Sequence, residues 1–251
     1  MSTYTAYCVL LLNYDDKIPI KNIEIGDRLV FSIVTKEELE FPTFPSKHYG
    51  LIECRYDEEN WTPFDEAGNP IFNFVSAMRL VKHDIYDLYV DALYDYNHDE
   101  DSYMKIYSDW VPTNTPYYSL IQSDLDEIIF LYEAICKKQN LEIYSALVKY
   151  DSYVNEKDAG WQYVKLINIL EMLFPPAEPR YISRQIAHSC SEYITQDMKI
   201  KNDIYKNIVK YYRFRNLVIH NLNKEFDTGI LFDVFQLDKY VREALKRKFL
   251  E

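Results

Sequence analysis

Arg215, Asn216 and His220 stand within six residues of one another in the apolar run YYRFRNLVIHNL, residues 211–222. Together they can act on a phosphodiester. An imidazole, with an ordinary pKa of about 6.5, gives or takes a proton at neutral pH; a guanidinium grips a phosphate through paired N–H groups; an amide orients a hydroxyl. RNA brings its own nucleophile in the 2′-OH, so such a set requires neither a metal nor a protein nucleophile. The same residues also fit an ordinary helix end, with His220 answering the C-terminal dipole and Arg215 held in a structural ion pair. Spacing alone leaves both readings open.

The helix that must carry these residues runs from about Lys199 to Asn221. With successive residues turned by about 100°, Ile200, Ile204, Ile208, Tyr211, Val218, Ile219 and Leu222 share one arc that faces a core. Arg215 falls inside that arc. A charge there needs a carboxylate or another hydrogen-bonding partner, because an unpaired one costs the fold heavily. Glu171, at the edge of the apolar arc of an earlier helix beside Val164 and Ile167, is the natural partner. Asn216 and His220 succeed one another at i, i+4, and Lys206, Arg213 and His220 follow at heptad spacing, so one edge of the helix is basic and polar. Lys210 adds a further cation for RNA contact. On the preceding helix, Arg184 and His188 are the candidates for reaching a bound substrate.

The surrounding elements divide into two kinds. TAYCVLLLN, DRLVFSIVT and YGLIECRY are β-branched and aromatic runs broken by Asp15-Asp16, Gly26-Asp27 and the segment from Pro42 to Pro45, which predicts an antiparallel sheet. NPIFNFVSAMRLVK predicts a helix behind Asn69 and Pro70. The acidic, Tyr-rich stretch after it reads as sheet or irregular structure. From Thr115-Pro116 the pattern turns helical, with Leu120, Ile121, Leu125, Ile128, Ile129, Tyr132 and Ile135 on one stripe. Further helices are predicted over Leu141 to Tyr153, Trp161 to Phe174 (stopped by Pro175-Pro176), Arg180 to Ile194, Lys199 to Asn221 and Phe232 to Phe249. The expected fold is α+β: a strand-rich acidic domain over 1–112, then a helical domain over 113–251.

Charge is also unevenly spread, with its own boundary at 160/161. Residues 161–251 hold 15 Lys and Arg against 11 Asp and Glu, whereas the first 160 hold 13 against 29, within a total of -12. The basic part suits a polyanion, and the acidic part suits docking of a protein regulator. Cys8, Cys54, Cys136 and Cys190 lack any zinc-like or CxxC spacing and read as thiols of a reducing compartment. No stretch approaches the roughly 18 apolar residues of a membrane span, so a cytoplasmic location and no membrane partner are expected. Walker A, Rossmann, G-x-S-x-G and H-E-x-x-H patterns do not occur, and no cofactor or metal is expected. DYNHDED lacks the offsets of a calcium loop and reads as a solvated acidic loop. His48, His83 and His98 have no metal-ligand partner at helical spacing and read as structural. Lys246, Arg247 and Lys248 could reach phosphates, though cations are ordinary in a last helical turn.

RNLVIH at Arg215 to His220 resembles the R-x4-6-H signature, with a polar residue directly after the arginine, of the HEPN superfamily, named for higher eukaryote and prokaryote nucleotide-binding domains. WQYVKLINILEMLFPP, which carries Glu171, is similar to the first helix of the Apea-like HEPN family, and PRYISRQIAHSCSEYI and NIVKYYRFRNLVIHN to its later helices. SAMRLVKHDIY is similar to a short helical element that often precedes that bundle. The likeness covers about 160–251 well, 70–160 loosely and the first 70 hardly at all. Asn216 stands where that family often has Ser, and Asn221 where a glycine often follows the histidine. The resemblance implies a metal-independent endoribonuclease with Arg215, Asn216 and His220 as catalytic residues. It implies a site formed where two copies of the motif meet in a homodimer, RNA products with 2′,3′-cyclic phosphate and 5′-hydroxyl ends, and a role in phage defence, as in abortive infection, or as a toxin. The alternatives are a non-cutting HEPN module that binds RNA, nucleotides or a protein, and a purely structural dimerisation bundle.

Overall fold

A computed structural model describes residues 3–14, 22–26, 29–35, 38, 48–57, 70–82, 90–100, 102–107, 118–138, 140–156, 158–220 and 229–251. The expectations for Asp15-Asp16, Pro42 to Pro45, Asn69, His83, Thr115-Pro116, Asn221 and Leu222 lie outside the described residues. The chain forms two compact units, Met1–Cys136 and Lys137–Glu251, and the class is α+β.

In the first unit β1 (Thr3–Tyr14) is the central strand of a sheet ordered β2-β3-β4-β1-β5-β6. Its neighbours β4 (His48–Asp57) and β5 (Val90–Asn97) both run antiparallel to it. β2 (Ile23–Ile25) and β3 (Leu29–Val34) form the hairpin at one edge, where Gly26 turns the chain at φ +62°, a conformation that costs glycine little. β6 (Ser102–Tyr107) closes the other edge. β7 (Tyr118–Leu120) pairs in parallel with Leu12–Tyr14, beyond the point where the β5 register ends at Leu10. Phe31 on the sheet packs against Phe74 of α1 (Pro70–Val81), with ring centroids 5.3 Å apart, and the fully buried Cys8, Leu10 and Ile52 on the same sheet face continue that core.

One expectation is corrected here. The helix predicted from Thr115 begins as α2 at Gln122 (Gln122–Lys137), because Leu120 is taken by the parallel pairing of β7; Ile121 stands 44% exposed just before the helix. The two compact units meet in sequence at Cys136 and Lys137. Contacts join α2 to α1 and the residue after it: Tyr132 meets the Phe74 ring edge-on at 5.7 Å, Asn73 Nδ2 lies 3.5 Å from Cys136 Sγ, and Lys82 Nζ, just past α1, lies 3.2 Å from Asp124 Oδ2.

The described residues of the second unit form five helices: α3 (Leu141–Val154), α4 (Ala159–Leu173), α5 (Ile182–Ile194), α6 (Met198–His220) and α7 (Gly229–Leu250). The starts are written in the sequence. Asn140 Oδ1 accepts from the backbone N–H groups of Glu142 and Ile143, Asp158 Oδ1 from Trp161, and Asp197 Oδ1 from Lys199 and Ile200. α4 packs against each of the other four helices, which is why Tyr163, Leu166, Ile167, Ile169 and Leu170 are all fully buried. Helix α5 starts at Ile182, two residues later than expected, because Tyr181 adopts the left-handed conformation at φ 55°. The Gln185 side chain, which accepts from Ala177 N and Glu178 N and donates to Glu178 O and Arg180 O, braces the turn before it.

No helix among the described residues is long and apolar enough to cross a membrane. No disulfide joins the four cysteines. Burial pushes the Cys8 and Cys190 thiols up to about 12, so neither is a thiolate at neutral pH.

Candidate functional site

Helix α6 presents the motif on its last three turns. Ile204, Ile208, Tyr211 and Val218 are buried as the periodicity requires, and Ile219 is partly buried. Ile200 is a correction: it is 50% exposed, and the neighbouring Lys201 is buried in its place. Lys201 can be buried because its Nζ lies 2.6 Å from Glu192 Oε2, and that contact holds the Glu192 carboxyl below its ordinary range.

Close helix packing sets the level of the motif. A Cβ placed on Gly160, in the first turn of α4, would stand 3.2 and 3.3 Å from the two methyl groups of Val218. This glycine therefore lets α4 approach α6 between Arg215 and His220. Tyr163 lies against Tyr211 and Phe214, both with ring centroids 5.9 Å away, on the next turns.

Arg215 is where the sequence demanded a partner, and Glu171 supplies it. Arg215 Nη2 lies 3.9 Å from Glu171 Oε2, with about a quarter of each side chain exposed. The other carboxylate oxygen, Oε1, accepts from the Tyr212 hydroxyl. The Tyr212 ring in turn lies 5.6 Å from the Arg215 Cζ, so the guanidinium sits between an aromatic face and a carboxylate. Arg215 Nη1 donates to Asn216 Oδ1 at 3.2 Å. Its Nε is buried without a hydrogen-bond partner among the described residues. Burial, then the bond to Glu171, pushes the Tyr212 phenol well above its ordinary range, so it remains a donor throughout the working pH range.

The rest of the predicted set lines the exposed side of α6. Lys206, Lys210, Arg213, Asn216 and His220 are all exposed, and His220 is the last residue of the helix. Lys210 Nζ lies 5.4 Å over the Phe214 ring. Arg184, on α5, has its guanidinium 5.4 Å over Tyr181, and His188 is exposed on the same helix. The structure thus brings Glu171, Arg215 and Asn216 into one contact network and leaves Arg184 outside it.

The other candidates lie elsewhere in the fold. His98 Nε2 lies 2.8 Å from Thr5 Oγ1 and its ring meets Tyr96 edge-on at 4.6 Å. Asp95 to Glu100 of DYNHDED form the end of β5 and the following turn, in which Asn97 Oδ1 accepts from the N–H groups of Asp99 and Glu100. His48 opens β4. Lys246 lies 2.8 Å from Glu243, Arg247 Nη1 donates to Tyr193 O, and Lys248 Nζ lies 4.4 Å over the Tyr193 ring. Lys246 thus pairs within α7, and Arg247 and Lys248 both contact Tyr193 of α5.

The residue that sequence reasoning missed is Tyr212. Its one signal was its place three residues before Arg215, which puts the two on the same side of the helix. No family model, curated protein or solved structure matches this chain.

Proposed function

We propose that this chain is a metal-independent endoribonuclease of HEPN type, with Arg215, Asn216 and His220 as the catalytic residues and Glu171 in support. The observation that carries the reading is the arrangement at the end of α6. Asn216 and His220 face solvent one turn apart, and Arg215 is steered from below by a carboxylate and bonded to Asn216. In the reaction the 2′-oxygen attacks the adjacent phosphorus and the bond from phosphorus to the 5′-oxygen breaks. The 2′-OH proton goes to a base and the leaving oxygen is stabilised or protonated. His220 exchanges the proton, Arg215 holds the phosphate oxygens and Asn216 orients the sugar. Lys206, Lys210 and Arg213 follow the strand along the same helix, with Arg184 on α5 as a further RNA contact. Its setting would be phage defence by abortive infection, or toxin action.

The full chain is expected to cleave single-stranded RNA in the presence of EDTA and to leave 2′,3′-cyclic phosphate ends. Strict dependence on Mg²⁺ or Mn²⁺, or equal cleavage of DNA, would remove the mechanism; RNA binding without cleavage would favour the non-cutting module.

One helix offers one imidazole, whereas the reaction profits from a base and a group acting at the leaving oxygen. A homodimer that pairs two α6 helices about a two-fold axis supplies both, and the isologous C₂ arrangement is the commonest among soluble oligomers. Light scattering is expected to give two copies. Mixed dimers of wild type with His220→Ala should retain far less than half of wild-type activity, while a retained half would indicate independent centres.

A further inference from the structure

We infer that Tyr212 is a positioning residue whose hydroxyl holds Glu171 back from Arg215, so that the arginine keeps donors for a phosphate. The inference rests on the ribonuclease reading for its consequence in catalysis. Its geometry stands separately. A glutamate beside an arginine ordinarily closes to a two-pronged pair with N···O distances of about 2.7–2.9 Å. Here Glu171 Oε2 stops 3.9 Å short of Nη2. The other oxygen is held by the Tyr212 hydroxyl. The Tyr212 ring meanwhile lies 5.6 Å from the same guanidinium and restrains its plane. One residue therefore contacts both members of the pair: its ring steadies the cation, and its hydroxyl restrains the anion.

Arg215 gains from this an orienting charge without surrendering both of its terminal nitrogens. Nη1 spends one N–H on Asn216. A fully closed pair with Glu171 would occupy Nη2 as well and leave less for a scissile phosphate. Tyr212→Phe separates the two actions, because it keeps the ring and removes the hydroxyl. Released from its anchor, the carboxylate swings onto Nη2 and captures the arginine. Glu171→Gln removes the charge that would do so.

The experiment compares wild type, Tyr212→Phe, Glu171→Gln and the double variant on one single-stranded oligoribonucleotide, with melting temperature as a check on folding. Tyr212→Phe is expected to lose about tenfold in kcat/KM, the scale of one hydrogen bond to a charged group. The double variant is expected to match Glu171→Gln, because the hydroxyl acts only through the carboxylate. Losses that multiply in the double variant, or full activity in Tyr212→Phe, overturn the inference. Wild-type RNA without cleavage, or equal cleavage by His220→Ala, would sink the ribonuclease reading instead. The positioning role is then decided by NMR of the labelled Arg215 side chain. Tyr212→Phe should slow rotation of the guanidinium relative to wild type, and the double variant should not; an unchanged signal in Tyr212→Phe overturns the inference without reference to activity.

Discussion

His220→Ala is expected to lower the rate of RNA cleavage by about two orders of magnitude or more, the usual worth of a general acid or base. Its effect on stability should be small. The side chain is exposed at the last position of α6, and exposed substitutions typically stay within about 0.5 kcal/mol. The separation of rate from stability carries the information, because a helix-capping role would reverse it: a histidine that only answers the helix dipole contributes about 0.3–1 kcal/mol and nothing to turnover. Single-turnover cleavage measured beside thermal melting distinguishes the two. Near-normal cleavage by the variant would remove the imidazole from the mechanism, and with it the main reason to read α6 as a catalytic helix.

Much of this site could be read from the chain because local rules and tertiary needs agree. Arg215 lies on an apolar stripe, a charge there requires a counter-charge, and Glu171 at the edge of the α4 stripe was the natural one; the two stand 3.9 Å apart. Tyr212 was not legible. A tyrosine beside Tyr211 on a packing helix reads as bulk, and the partner of its hydroxyl depends on how α4 and α6 cross, which no spacing encodes. The same distinction runs through the fold. Asn140, Asp158 and Asp197 cap their helices through bonds to residues two or three places on, whereas Leu120 fitted a helical stripe and was claimed by β1 from more than a hundred residues away. Lys201 shows tertiary context overriding hydrophobic periodicity. The period pointed to Ile200 as the buried residue, but Glu192 on α5 lets the lysine be buried there. Tyr181, left-handed before α5, carries no sequence mark of its conformation.

Asp238→Ala should produce the largest loss of stability in the helical unit, about 3–5 kcal/mol, because it removes one partner of a buried ion pair and strands the other. Asp238 is fully buried in α7. Its Oδ1 accepts from the Tyr150 hydroxyl of α3 at 2.8 Å, and its Oδ2 from Arg242 Nε at 2.8 Å one turn along the same helix. Burial acts to lower the Arg242 pKa, but the Asp238 charge outweighs it and the guanidinium stays charged. Burial, and then the same carboxylate, pushes the Tyr150 phenol well above its ordinary range, so it donates and never competes as an anion. Tyr150→Phe is the matched control. It removes one hydrogen bond to a carboxylate while the charges remain paired, and should cost about 1.5–3 kcal/mol, less than the loss of the charge itself. Denaturant unfolding of both variants tests the contrast: similar losses would mean that the ion pair contributes little beyond its hydrogen bonds. Asp238 bonds to Tyr150 of α3 and Arg242 of α7, so the folded fraction of Asp238→Ala should cut RNA at the wild-type rate well below its melting temperature. A rate that falls while the protein remains folded would mean that the α3–α7 anchor also sets the geometry of α6 through α4, against which both α6 and α7 pack.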